Sequence, residues 1–496
     1  MIPLGEYLPD LPDHDNPGAT QVLNVLPAAR SYLPWPAAVA FSNALTADCR
    51  GAITAKAKDG TVYSYAGDVA ALYSMADAAW SNVSLGGGAD AYTLATEETW
   101  EFAKWGEQII AVSGVNTTTA VPGTNDPQVI TMGGANFADL GGTPPQARHI
   151  GIVRDFVVLG NTWDSGDGLV PNRVRWSGKG DATTWTVSAA TQADKEDLAG
   201  GNWVQRIIGG EYGVVFLESS VWRMSYVGSP VVWQFDEVLP FRGTPAPGSV
   251  AQAGDRIFFL SQDGFEVLEH GSTLRSIGAQ RVDRTFYNDF DASYFYRLTS
   301  AIDPYNRRVF WSYPGSGHSG GQPNKVLCYD WSSDRWALSE QATQLLFASA
   351  TTRYTMDGLD AINTDLDAIV ESLDARIWMG GTPQIGVFDS DNKLAFWSGS
   401  ALAGIVETTE IEAAPGQRAM LSSARPIVDG GVTTVQIGHR NRQQDAPIWT
   451  AARSVNANGR ATMRKNARYH RVRLNVSGAF THAEGVDVDT SPAGRR

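Results

Sequence analysis

The chain has 496 residues, enough for a large buried core; only 19% are charged, while Gly numbers 51 and Trp and Tyr 16 each. Sparse charge with many turn formers and strand-forming aromatics is the balance of a mainly β protein. A formal net charge of −14 argues against a surface that grips nucleic acid throughout, because such grip comes from Lys and Arg neutralising phosphates.

Cys49 and Cys328 are the only cysteines, and neither has a C-x-x-C partner or a nearby His pair. That speaks against a disulfide framework and a zinc site. The N-terminus lacks a basic start and a signal-length apolar core, and no apolar run is long enough to span a bilayer. The sequence therefore reads as a soluble protein folded in a reducing cytosol.

Residues 1–40 carry Pro3, Pro9, Pro12, Pro17, Pro27, Pro34 and Pro36. Fixed φ and missing donors rule out a regular helix and predict an extended arm, of the kind that lies on a neighbour.

Over residues 41–400 one order recurs: a Gly/Asp turn, an apolar strand, a second turn and a Trp-bearing strand. It is seen in "WGEQIIAVSG", "VRDFVVLGN", "IGGEYGVVFLESSVWRMSYV", "AGDRIFFLSQDGFEVLEH" and "DPYNRRVFWSYPG". Spacing of about 40 to 50 residues is the size of a four-stranded blade and predicts a six- or seven-bladed β-propeller. Two β-sandwiches would also show closely spaced turns, but the repeated order favours blades. Runs such as Val214–Leu217 and Ile257–Leu260 read as innermost strands, buried on both faces.

Within this region "VRWSGKGDATTWTV" (174–187) reads as a hairpin turning at Gly178, Gly180 and Asp181. Ser177, Asp181 and Trp185 follow an order loosely like the Asp-box turn of sialidases, although the Asp stands four places after the Ser and the Gly is displaced. "GLDAINTDLDAIVESLDA" spaces Leu359, Ile362, Leu366 and Leu373 as one face of a helix. Its acidic face, including Asp360, Asp365, Asp367 and Glu371, lacks the Gly and terminal Glu of an EF-hand loop and reads as solvated.

Composition changes near residue 401, and 401–496 is placed as a separate C-terminal β domain. Between His439 and Arg473 the basic residues are opposed only by Asp445. On an otherwise acidic chain, Arg440, Arg442, Arg464, Lys465, Arg468 and Arg471 are therefore expected to form a contact surface for a subunit or partner, with DNA as the other candidate.

No G-x-S-x-G elbow, H-E-x-x-H helix or phosphate-cradling loop occurs, and most Asp residues adjoin turns where they cap backbone. No catalytic residue, cofactor or metal site is assigned.

The Pro-rich arm, "RDFVVLGNTWDSGDGLVPNRVRWSGKGDATTW", "GDRIFFLSQDGFEVL", "LDAIVESLDARIWMGG" and "ARYHRVRLNVSGAFTHAEGVDVD" together resemble the tail nozzle or hub proteins of short-tailed bacteriophages, also called packaged-DNA stabilisation proteins. The resemblance implies a virion structural protein without enzymatic activity, made in the bacterial host cytoplasm. It implies a homo-oligomeric ring, usually a hexamer, below the portal and its adaptor, which bears fibres or spikes. Double-stranded DNA would be retained and then pass through the lumen without sequence-specific binding. A propeller that binds or cleaves glycans is the alternative, from a different functional class.

Overall fold

The computed structural model describes all residues except 15, 89–90, 116–124, 201, 352–379 and 495–496. The amphipathic helix expected over 359–374, with its acidic face, lies outside the described residues.

Among the described residues, seven four-stranded antiparallel units follow one another along the chain. Blade 1 runs from Gly51–Lys56 to Ala79–Asn82, blade 2 from Glu101–Trp105 to Ala138–Asp139, and blade 3 from Gln146–Val153 to Asp194–Asp197. Blade 4 runs from Val204–Ile208 to Val232–Leu239, and blade 5 from Ala251–Ala253 to Thr273–Ser276. Blade 6, Thr299–Asp303 to Arg335–Glu340, is a meander continuous with the C-terminal sheet, whereas the other six are free-standing sheets. Blade 7 takes Leu345–Ala350, Pro383–Phe388 and Lys393–Ala401 from late in the chain and its outermost strand, Pro36–Ala44, from the N-terminal segment.

The apolar core is divided in the same way, with one cluster between each pair of neighbouring blades. Tyr65 and Ile109 share the cluster between blades 1 and 2, Val112 and Leu159 that between 2 and 3, and Val174 and Leu217 that between 3 and 4. Phe216 meets Phe259 edge-on at 5.0 Å between blades 4 and 5. Trp311 and Phe265 join 5 to 6, Phe310 and Val387 join 6 to 7, and Phe388 and Tyr73 join 7 to 1. Each buried side chain of this kind contributes about 1.5–3 kcal/mol. The clusters close a seven-membered ring, and Pro36–Ala44 fastens its two ends together.

The continuous apolar runs are second strands, not innermost ones. Gly213–Leu217 and Arg256–Ser261 each stand one place out from the axis, behind Val204–Ile208 and Ala251–Ala253. There both faces are covered by neighbouring blades, which is why the alternation is lost; the innermost strands face the axial channel and keep polar groups.

The segment 174–187 is not a two-stranded hairpin. Strand Gly168–Trp176 ends at Trp176, whose antiparallel partner is Asp194. The excursion between them holds an isolated bridge from Gly178 to Asp181. Asp181 Oδ1 accepts from Thr183 N at 2.9 Å and its Oδ2 from Thr184 Oγ1 at 2.7 Å, so this Asp caps a turn. Trp176 packs towards blade 4 and Trp185 towards blade 2. The two indoles brace opposite faces of blade 3.

The N-terminal segment is extended and lies along its own chain. Ile2–Pro3 pairs with Val486 and Gly485, while Leu23 bridges Leu338 of blade 6 and Ile405 of the C-terminal sheet. Trp35 and Tyr32 are fully buried. Asp10 reaches the start of helix Asp283–Asp289, where its carboxylate accepts from Arg284 N and Thr285 N at 2.8 Å each. A cap supplied from far along the chain satisfies donors that the helix leaves open.

The C-terminal part is built on two long antiparallel strands, Ala419–Arg440 and Tyr469–Pro492, paired along their length with register shifts around Gly430. Ala461–Ala467 lies against the first of them and Gly404–Glu407 against the second. Through Val22–Leu23 this curled sheet is hydrogen-bonded to blade 6, giving one sheet of fourteen strands.

Candidate functional site

The basic residues singled out from the sequence separate into two groups. Arg440 and Arg471 are buried in an internal ion-pair network and present no charge to a partner. Arg440 holds Glu410 through Nε and Nη2 at 2.8 Å each, and its Nη2 lies 3.2 Å from Asp13 Oδ2. Arg471 Nη2 stands 2.5 Å from the same Asp13 oxygen, and its Nη1 donates to Thr20 Oγ1 at 2.9 Å. Burial works against the Arg440 charge, but Glu410 and Asp13 outweigh it and hold the guanidinium above its ordinary pKa. Asp13, Glu407 and Glu410 lie outside the stretch from His439 to Arg473, so the apparent excess of positive charge is largely neutralised in the fold.

Arg442 and Arg464 are exposed, and Lys465 and Arg468 half-buried, with Arg468 Nε 4.0 Å from Glu412. Those four alone of the six remain available at the surface. Arg473, which pairs with Glu407 at 2.6 Å, lies over the Trp449 ring at 3.9 Å.

A second surface is the outermost strand of blade 7. Pro36–Ala44, PAAVAFSNA, carries no charge and pairs on one side with Lys393–Ala401. Ala38, Val39, Ala40 and Phe41 are successively exposed, Phe41 meeting Phe396 edge-on at 5.3 Å. Over these residues no second strand pairs with it among the described residues. An edge strand presents unpaired N–H and C=O groups and is ordinarily blunted by Lys, Pro or a bulge. Here Pro36 stands at its beginning and the register against Lys393–Ala401 shifts on either side of Ala38–Ala40, but Ala38–Phe41 itself carries neither Lys nor Pro.

A third candidate is the axial channel. Innermost strands of blades 1, 2 and 4 to 7 line a cavity of about 320 Å³, with a cleft of about 280 Å³ at its mouth. At its wall Glu101 of blade 2 meets His149 of blade 3, Oε1 to Nδ1 2.8 Å, and Arg206 of blade 4, Oε1 to Nη1 2.6 Å. Ile150 N donates to Oε2 at 3.2 Å. Burial alone would raise the Glu101 pKa; Arg206 and His149 outweigh it and keep the group ionised, below its ordinary value. The three residues come from successive blades at equivalent strands, a relation with no local motif.

The cleft itself is lined by Glu97, Glu98, Arg148, His149, Asn161, Trp203, Gln205, Glu218 and Tyr296, among others. Trp203 is 40% exposed, and the Arg148 guanidinium lies 5.4 Å from its ring centroid. Sequence reasoning did not single out any of them, because they converge only when the ring closes.

No protein-family model matches the chain, and no curated protein does. Among solved structures it is similar to the extracellular domain of a one-component system from B. thetaiotaomicron, with 9% identity and a TM-score of 0.38 over 82% of this chain and 47% of that one. The chain thus spans about half the length of that structure. It is also similar to the Neurospora crassa Pan2 WD40 domain, with 9% identity and TM-score 0.33 over 65% and 90% of the two chains. With an exo-β-1,3-galactanase from Phanerochaete chrysosporium it shares 9% identity and a TM-score of 0.26 over 80% and 98%. Likenesses this distant carry nothing about activity or ligand.

Proposed function

We propose that the protein is a structural subunit of a short-tailed phage tail, a nozzle or hub component that assembles into a closed ring, usually of six copies, beneath the portal and adaptor. The observation that carries ring formation is the uncharged, uncovered edge Ala38–Phe41, which a second copy would cover. The phage assignment rests on the sequence resemblance. Were this edge to meet a different face of the next copy, the contact would be heterologous, and it would close into a ring where its rotation divides the circle. The exposed Arg442 and Arg464 would meet acidic surface of a neighbouring subunit or of the adaptor, and charge complementarity would steer that contact.

The build suits a mechanical part. The N-terminal segment supplies a strand to blade 7 and pairs with the C-terminal sheet, which is itself continuous with blade 6, so force on the propeller or on the C-terminal sheet is carried by hydrogen-bonded strands. The axial cavity of one propeller is far too small for a duplex. Genome would therefore pass through the lumen between copies, and on a chain of net charge −14 its walls would repel phosphate and let DNA slide. Negative-stain images of the purified protein test this reading: rings of defined symmetry support it, and dispersed single propellers at high concentration contradict it.

A further inference from the structure

We propose that the cleft at the mouth of the axial channel is a binding site for a neutral, polyhydroxylated ligand, a pyranose group of a glycan. This stands apart from ring assembly, since a lone subunit could bind and a ring could fail to.

Among the described residues, two polar atoms at the cleft lack partners. Asn161 is 1% exposed, yet its Oδ1 is a buried acceptor with no hydrogen bond, and Arg148 Nε is a buried donor in the same condition. An unpaired buried polar atom keeps the desolvation penalty without the bond, and a ligand hydroxyl, both donor and acceptor, would satisfy either one. Asn161 also sits at φ +55°, where the blade 3 register shifts between Gly160 and Thr162. Asn tolerates this left-handed backbone, and the bulge there sets the direction of its side chain.

Next to these atoms Trp203 is 40% exposed, its indole partly covered by the Arg148 guanidinium and otherwise open to the cleft. Aromatic residues of this kind take the apolar face of a ring while keeping a polar edge in water. His149 is fixed by Glu101 through Nδ1, and its Nε2 has no hydrogen-bond partner among the described residues. Glu98 accepts from Ala95 N through Oε2 at 2.8 Å. Gly114 lets this carboxylate lie close, because a Cβ there would stand 2.4 Å from Oε1.

Charge selects the ligand class. Glu97, Glu98 and Glu218 face the cleft against Arg148, so a phosphate, sulfate or sialic carboxylate would be repelled. Donors and acceptors of both kinds beside an aromatic face leave a neutral sugar as the best fit.

Saturation-transfer NMR with neutral oligosaccharides (glucose, galactose and N-acetylglucosamine series) on the full chain tests the proposal, with heparin fragments and spermine as charged probes. Transfer to a neutral sugar is expected. Trp203→Ala should weaken it about tenfold, as for loss of an aromatic contact. Asn161→Gly, which keeps the left-handed backbone and deletes the acceptor, should weaken it as well. Phe41→Lys, remote from the cleft, should leave it unchanged. Absence of transfer from every neutral sugar, preference for a charged probe, or undiminished binding by folded Trp203→Ala protein would overturn the assignment.

Discussion

The guanidinium of Arg335 lies over the ring of Tyr32, 4.5 Å from its centroid. It also donates to Gly5 O and Ala28 O at 2.8 and 2.7 Å. One side chain of blade 6 thus gathers three points of the N-terminal segment.

Replacing Arg335 with Ala would take its donor from Ala28 O, leave Gly5 O with Tyr32 Oη alone and remove the cation from the ring, at a cost of about 2 kcal/mol. Lys should restore little, because its single ammonium cannot span both carbonyls and stack on the ring. Urea unfolding followed by Trp fluorescence measures both. Removal of residues 1–40 should be more damaging still, since it takes away Trp35 and much of the strand that closes blade 7.

Asp283 gives stability an unusual pH dependence. It is buried between Gly264 and Gly278; its Oδ1 accepts from Phe265 N at 3.1 Å and its Oδ2 has no partner. Burial pushes its pKa from 3.8 to about 7. The unfolded chain releases this proton near 3.8 while the folded one keeps it, so this contribution is full below 3.8 and is lost as pH rises to about 7. Asp283→Asn should raise the melting temperature at pH 8 by a few degrees and change little near pH 4.

His439 and His470 face each other across the two long C-terminal strands, each with a buried, unpartnered Nδ1. Burial lowers both pKa values, with Lys465 adding to the effect on His439 and His439 to that on His470. A proton is therefore taken up by the unfolded chain before the folded one, and stability falls as pH drops below 6.5. Thermal melts on either side of this value should show the loss, and His470→Leu should flatten it.

Glu101 ties three blades at the axis. Glu101→Ala leaves Arg206 and His149 without their anion and should cost about 3 kcal/mol, as when one partner of a buried pair is removed. Glu101→Gln, which keeps an acceptor, should cost less; chemical denaturation separates the two.

The propeller was legible because apolar runs and Gly/Asp turns recur at blade spacing. Their exact rank in a blade was not: Val214–Leu217 and Ile257–Leu260 are apolar because neighbouring blades cover both faces, a condition that second strands meet. The closing strand Pro36–Ala44 was hidden by the prolines before it, which mark extended chain without saying what it pairs with. In the C-terminal region, counting charge along the sequence made Arg440 and Arg471 look free, because Asp13 approaches from the other end of the chain. The cleft around Trp203 and Asn161 has no sequence signature, since each residue comes from a different turn of the ring.

The proposed ring depends on contact through the uncovered edge Ala38–Phe41. Native mass spectrometry of the wild type beside Val39→Lys and Phe41→Lys tests it most directly. A closed oligomer is expected for the wild type and folded monomers for both variants, since a charge on that strand would block a second copy. A monomeric wild type, or variants that assemble as well as it does, would contradict it.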